Sequence, residues 1–352
     1  MGYYDRLADL SLVVESEERT GRERDTSSGF VRTTTVVSLS GAGETGRGED
    51  VTYDTPDHEA LADVGPLTPT GEFTLRSFSA ALDDVEFFPE PPEQASARHY
   101  RRWAYESAAL DLALRQADTH LGAVLGLERD PVRFVSSARL APAGSDEEPT
   151  ADRVYDLLDA VPGLEFKLDP TSDWSDDLVV ELAETGAVVA LDLKGQYHGT
   201  VVDQDPDPDL YRRVIEGFPD AVIEDPAVTD ETSALVEEAA DRVSWDAPIT
   251  GVESVEALPF EPRWLNVKPS RFGTVESLLE TVEWAEARDV ALYGGGQFEL
   301  DVGRAQIQTL ASLLYPDGPN DVAPGAYNDP EVGADLPAPP LRPSDEPRGF
   351  AF

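Results

Sequence analysis

From Pro131 onward the chain alternates short, β-branched apolar runs with amphipathic stretches. The runs occupy 133–140, 164–169, 187–194, 221–226, 242–247, 264–269 and 290–296, with a weaker eighth at 320–324. Between them apolar residues recur at helical spacing, as in 152–160, 175–184, 209–217 and 274–288. A short apolar run followed by a 3.6-residue pattern marks a βα unit, and consecutive units lay down a parallel sheet. Seven or eight such units in about 200 residues fit an α/β fold of the TIM type, a (β/α) barrel. The competing doubly wound sheet would carry a glycine-rich phosphate loop after an early strand, and none is present.

The first 130 residues follow a different pattern. Residues 30–39 alternate as a strand, and the glycine-rich 41–48 reads as a hairpin connection to a short strand at 51–53. That stretch lacks the following Lys-Ser/Thr of a phosphate loop. Residues 94–117 carry a long helical pattern, and 26–29 reads as a mobile turn. The expectation is an α+β domain over 1–130, a barrel over 131–325 and a Pro-rich tail over 326–352, either wrapped back over the first domain or loose.

Composition narrows the possible partners. With 70 acidic residues against 27 basic and a net charge of −43, the surface repels nucleic acid and anionic membranes, so neither is an expected partner. No apolar run approaches the roughly 20 residues of a membrane span, and no basic-then-apolar leader opens the chain. The absence of cysteine excludes disulfides, thiolate catalysis and Cys-ligated zinc. Acids spread along the whole length fit a cytoplasmic, halophilic protein, the alternative being an ordinary acidic one.

Lysine usage points to chemistry. Only three of the 27 basic residues are lysine: Lys167, Lys194 and Lys268. Arginine carries charge but holds its proton, whereas lysine can be tuned into a base. All three lie at carboxyl ends of the predicted strands, where barrel enzymes keep their reactive groups. Those ends read Lys167 and Asp169, Asp192 and Lys194, Glu224, Asp246, Lys268, then Gln297 and Glu299. Residues two apart on a strand share a face, and Asp192, Glu224 and Asp246 on consecutive strands would converge on a hard cation. His198 lies just past a strand end, where it either contacts substrate or stands on a surface loop. Arg271 suits a structural salt bridge better than a substrate anion. Asp225 alternates away from Glu224, which places it behind the site or in solvent. His58, His99 and His120 carry no evident chemistry, and Trp103, Tyr105 and Tyr155 are expected in the core.

These strand ends resemble those of a known family. Phe-Lys-Leu-Asp, Leu-Asp-Leu-Lys-Gly, Ile-Glu-Asp-Pro, Trp-Asp-Ala-Pro-Ile-Thr-Gly-Val-Glu-Ser and Asn-Val-Lys-Pro-Ser-Arg-Phe-Gly occur in the order of the enolase superfamily's barrel motifs. The helical Trp103-Ala-Tyr-Glu-Ser-Ala-Ala-Leu-Asp-Leu-Ala resembles the helix that closes its capping domain. The most similar branch is that of muconate-lactonizing enzyme, o-succinylbenzoate synthase and dipeptide epimerase. The resemblance implies Mg²⁺, with Mn²⁺ as the alternative, held by Asp192, Glu224 and Asp246; Glu253 can be slid onto the third position. It implies Lys268 as base or electrostatic partner and Glu299 as the carboxylate near the last strand. It also implies a small carboxylate substrate that loses its α-proton through an enediolate, in a lyase or isomerase reaction, and a homo-oligomer. Capping-domain loops near 26–30 and 44–49 would set specificity.

Two positions depart from the family pattern. The second strand usually carries Lys-x-Lys, and here the second lysine is Asp169. The third often carries Asp-x-Asn, and here it reads Asp192-Leu-Lys194. Lys194 could reach the missing lysine's place with Asp169 orienting it. Alternatively it only neutralises the acidic ring and Lys268 works alone, or turnover is lost and a binding site remains.

Overall fold

A computed structural model describes residues 2–352. The first part contains β1 (Ser11–Val14), β2 (Ser16–Asp25), β3 (Val31–Gly41), β4 (Glu44–Asp50) and β5 (Gly71–Thr74). Strands β2, β3 and β4 form one antiparallel sheet, and β1 pairs with β5 in another. The helix Ala97–Gln116 packs across them and is buried almost throughout. Its Ala-rich sequence has no β-branched residue and no Gly or Pro to interrupt it.

The glycine-rich stretch is itself a strand, where a connection was expected. Only Ala42 and Gly43 turn, both at positive φ, and Glu44–Asp50 pairs with β3. A Cβ on Gly48 would lie 2.0 Å from the Ala104 carbonyl oxygen, and one on Gly46 would lie 2.2 Å from the Leu112 nitrogen. The glycines let β4 approach the helix backbone, a contact that strand propensity does not register. Nor is the 26–29 turn loose. Thr26 Oγ1 donates to the Phe30 carbonyl at 2.7 Å, and the Ser27 N–H donates to the Asn328 carbonyl at 2.7 Å.

The second part is a curled sheet of seven parallel strands in sequence order. These are β6 (Val135–Ala138), β7 (Glu165–Leu168), β8 (Val188–Asp192), β9 (Val222–Glu224), β10 (Val243–Trp245), β11 (Trp264–Val267) and β12 (Ala291–Gly294). Helices Asp152–Ala160, Asp176–Glu184, Pro208–Gly217 and Val275–Glu286 fall where the 3.6-residue pattern places them, and Val302–Leu314 follows β12 after the connection 295–301. Ser175, Asp207 and Thr274 cap three of them by accepting backbone N–H groups of the first turn.

The expected eighth strand does not form. Residues 320–321 make only isolated parallel bridges, Asn320 to Phe134 and Asp321 to Gly295, between the first and last strands. The Asn320 side chain takes over the ladder's work. Its Oδ1 accepts the Gly294 N–H at 2.6 Å, while Nδ2 donates to the carbonyls of Arg133, Tyr315 and Gly318 at 3.0 Å each.

The tail wraps back over the first part. Leu341 bridges Val132, Gly349 bonds Thr119 and Leu121, and the Phe350 ring meets Trp103 edge-on at 6.5 Å. Trp103 and Tyr105 are core as expected, but Tyr155 is 42% exposed on its helix. No helix among the described residues is long and apolar enough to cross a membrane.

Candidate active site

The strands deliver three carboxylates to one point. Asp192 ends β8, Glu224 ends β9 and Asp246 directly follows β10. One oxygen from each lies within 4.8 Å of the others, and all three side chains are fully buried. Glu253, the rival third position, is exposed in the helix Val252–Glu256 and stands outside this group.

Around the carboxylates stand all three lysines, each buried. Lys167 Nζ donates to Glu224 Oε1 and lies 3.2 Å from Asp192 Oδ2. Lys194 Nζ donates to Asp192 Oδ2, with Asp169 Oδ1 at 3.4 Å. Lys268 Nζ is 2.8 Å from Asp246 Oδ2. Arg271 Nε holds the other Asp246 oxygen at 2.9 Å, the salt bridge expected of it. Asp225 is not solvated: its carboxylate accepts the N–H groups of Asp246 and Ala247 at 2.8 Å each and fixes the turn that carries Asp246.

Three non-glycine residues at these strand ends adopt left-handed backbone: Lys194 at φ 55°, Asp225 at 47° and Phe298 at 56°. Such conformations cost of order 1–3 kcal/mol each and persist where the surroundings impose them, often at functional sites. Here they directly follow or neighbour the residues that build the charge cluster.

Burial and neighbouring charges sort the carboxylates. Burial opposes ionisation of Asp192, but Lys194 and Lys167 outweigh it and hold its carboxyl well below the usual range. Burial is likewise overcome at Asp246 by Arg271 and Lys268. At Glu224 burial wins, helped by Asp192 and Asp246 against Lys167, and pushes the carboxyl up to about 8. Burial and the two neighbouring aspartates raise Asp225 to about 7. Burial disfavours the lysine charges, yet their carboxylate partners keep all three above the ordinary lysine value.

The donor set fits a hard divalent cation, since three carboxylate oxygens with no sulfur or imidazole suit magnesium or manganese. The same carboxylates already pair with ammonium groups, so a metal here would share its ligands with lysine.

Several residues of the cluster gave no signal, or an unread one. Asn266 Nδ2 donates to Glu224 Oε2 at 3.1 Å, and Tyr293 Oη bonds the same oxygen. Asn266 shares a face with Lys268 by the two-residue rule, which would have found it. Tyr197 Oη donates to Asp246 Oδ2 at 2.6 Å, and its ring lies 4.8 Å from the Lys194 ammonium. Tyr53 and Tyr100 reach Gln297 from the first part of the chain, at 2.8 and 3.5 Å, and nothing local announces them. Gln297 and Glu299 are buried, and Glu299 Oε2 has no hydrogen-bond partner. His198 stands apart, its side chain 79% exposed and 3.9 Å from Asp203. Of the two expected specificity segments, 26–30 reaches the strand ends through Phe30, whose ring meets Phe298 at 5.4 Å. The other is β4, where Glu49 accepts the N–H groups of Leu300, Asp301 and Gly303 and is structural.

Comparison with known proteins agrees with this architecture. The muconate lactonizing enzyme of Pseudomonas fluorescens, solved with muconolactone, has a TM-score of 0.64 at 19% identity, covering 88% of each chain. The Pseudomonas putida enzyme gives 0.61 at 19% identity, again over 88% of each chain. A mandelate racemase/muconate-lactonizing-type protein of Roseovarius nubinhibens, solved with magnesium, gives 0.62 at 18% identity over 86% of this chain and 85% of that one. In sequence, the chain is 26% identical over 162 residues to o-succinylbenzoate synthase of Escherichia coli O139:H28 (strain E24377A / ETEC), which is 46% of this chain and 42% of that protein. The match thus spans less than half of that relative's length. Family models described as the N-terminal and C-terminal domains of a domain of unknown function (DUF8230) match residues 5–124 and 128–329. The chain therefore belongs to the DUF8230 family, and its resemblance to the muconate-lactonizing and o-succinylbenzoate-synthase branch of the enolase superfamily holds in both sequence and fold.

Proposed function

We propose that the protein is a divalent-metal-dependent lyase or isomerase that removes the α-proton of a small carboxylate. The observation that carries this reading is the convergence of Asp192, Glu224 and Asp246, flanked by Lys194 on the Asp192 side and Lys268 on the Asp246 side. An α-proton beside a carboxylate is only weakly acidic, so its removal needs positive charge where negative charge develops and a base nearby. Magnesium held by the three carboxylates would supply that charge at the substrate carboxylate. Lys268 is the base or the electrostatic partner of the resulting enediolate. Lys194 is the second ammonium group at the site, and Asp169 orients it from 3.4 Å. Lys167, tied to both Asp192 and Glu224, holds the ligand carboxylates in place and takes no part in proton transfer. Gln297, Tyr53 and Phe30 supply the substrate-facing edge of the site, with Glu299 behind Gln297; His198 is left to the solvent.

A second reading has one observation in its favour. Asp169 stands where the family pattern places a lysine, which would leave a carboxylate-binding protein without turnover. Proton exchange decides between the two. A panel of small carboxylic acids is incubated with the protein and Mg²⁺ in deuterated buffer, and loss of the α-proton signal is followed by NMR. Exchange that disappears with chelator and in Lys268→Met supports the enzyme. Binding of an acid with no exchange of any panel member leaves the binding protein.

A further inference from the structure

We propose that Lys194 is a tethered cation occupying the metal-facing carboxylate of Asp192, and that Asp169 is the positioning residue that receives it when a divalent ion binds. The inference rests on the metal reading above. Two ammonium groups meet at Asp192 Oδ2, those of Lys194 and Lys167. Lys167 is also bonded to Glu224 and is 1% exposed, so both carboxylates it touches belong to the metal-facing triad. Lys194 has one outside it. Asp169 Oδ1 is buried, lies 3.4 Å from Lys194 Nζ, and lacks any hydrogen-bond partner. A buried carboxylate oxygen with an ion pair at 3.4 Å but no hydrogen bond is under-satisfied, and a short swing of the lysine would complete it.

The backbone keeps the lysine within reach of both carboxylates. Lys194 follows Asp192 by two residues, its N–H donates to Asp192 Oδ1 at 3.1 Å, and its left-handed φ of 55° folds the side chain back over that carboxylate. Gly195 behind it allows the turn, since a Cβ there would lie 2.3 Å from the Ala227 nitrogen. The Tyr197 ring, 4.8 Å from Nζ, gives the ammonium an aromatic face beside the two acids.

Charge supplies the driving force. The cluster contains five carboxylates (Asp169, Asp192, Glu224, Asp225, Asp246) and four cationic side chains (Lys167, Lys194, Lys268, Arg271). It is near balance before any metal arrives. A divalent ion on Asp192 repels an ammonium on the same oxygen, and Asp169 is the acceptor that relieves the repulsion. The two departures from the pattern that the resemblance implies, Asp169 and Lys194, thus read as one coupled pair. A cation stands beside the ligand carboxylate, and an anion stands opposite to draw it off.

The test is a double-mutant cycle read by calorimetric titration of Mg²⁺ and Mn²⁺, without substrate. Lys194→Met should tighten metal binding by about tenfold, since the competing cation is gone, and Asp169→Asn should weaken it by about tenfold. In the Lys194→Met background, Asp169→Asn should then change affinity by less than about twofold, because there is no lysine left to receive. A merely structural Asp169 would weaken binding equally in both backgrounds, and that result overturns the proposal. So does a Lys194→Met chain that binds metal no more tightly. If that variant does not fold, Lys194→Gln replaces it, and Asp169→Asn with unchanged affinity is by itself decisive against the idea. Failure of the metal reading looks different: the unaltered chain and Asp192→Asn would then both bind no cation.

Discussion

Two buried charge clusters, one in each part of the chain, are built on opposite principles. In the first part Asp50 and Arg101 are both essentially inaccessible and meet at 2.7 Å. The rest of the guanidinium fork donates to the carbonyls of Phe87 and Asp57 at 3.0 Å each, and the group lies 3.8 Å from the Phe88 ring centroid. Asp50 also accepts from Thr52 through both backbone and hydroxyl. Both charged groups are held by fixed partners, and arginine, planar and permanently charged, is suited to that task. At the strand ends the cations are mostly lysine, carboxylates outnumber them, and Asp169 Oδ1 and Asn266 Oδ1 lack hydrogen-bond partners. A satisfied fork locks structure, whereas an acid-rich lysine cluster with oxygens lacking hydrogen bonds can accept a ligand. The chain's sparing use of lysine sharpens the contrast, since none of its three is on the surface.

The comparison can be broken from either side. Lys268→Met should cut α-proton exchange by about 10²–10⁴-fold, the usual contribution of a positioned acid or base, with little change in unfolding free energy. Arg101→Met should do the reverse. Leaving Asp50 buried and unpaired should cost about 3–5 kcal/mol in urea unfolding, and magnesium should not narrow the gap to the unaltered chain. Lys167→Met removes a partner from the other cluster and should also destabilise. There, however, Mg²⁺ should narrow the gap to the unaltered chain, because the exposed deficit is one a cation can fill, on top of the about 2.7 kcal/mol that a filled site gives either chain at a hundred times its Kd. Loss of Lys167 without rescue by magnesium would place that cluster in the same structural class as Asp50–Arg101.

Smaller effects test the surroundings. Gly48→Val should cost about 1–3 kcal/mol or more by forcing β4 away from the helix at Ala104, with metal affinity unchanged. The gentlest probe is pH. Burial works against ionised Asp50, but Arg101, His58 and Thr52 prevail and hold its carboxyl below the ordinary value. A folded value below the unfolded one means that its stabilisation is present above the unfolded carboxyl value, about 3.9, and fades as pH falls through the folded value. The stability gap between the unaltered chain and Asp50→Asn should therefore be constant near neutrality and shrink below about pH 4. A gap that instead narrowed toward alkaline pH would contradict the assigned direction.

The strands and helices of the second part were legible because each obeys a local rule. Period-two and period-3.6 patterns place β6 to β12 and their helices within a few residues. The strand-end rule then gathers Lys167, Asp169, Asp192, Lys194, Glu224, Asp246 and Lys268 without any contact being known. Where local rules mislead, a distant partner is responsible. Gly46 and Gly48 read as a turn until the helix Ala97–Gln116 lies against them, and 320–324 reads as a strand until the Asn320 side chain replaces its ladder. Tyr155 reads as core on a helix whose outer face it occupies.

By itself, then, the sequence determined the order of the seven parallel strands of the second part, the acidic surface and the set of charged groups at the strand ends. These depend on residue type and short spacing alone. Which lysine meets which carboxylate is a tertiary matter. Lys194 sits on Asp192 and faces Asp169 because a left-handed residue after β8 folds it back, and Tyr197, on the loop after β8, meets Asp246 at the end of β10. Spacing along a chain fixes the face on which a side chain emerges; only packing fixes the neighbour it finds there, and the chemistry of lysine is set by that neighbour.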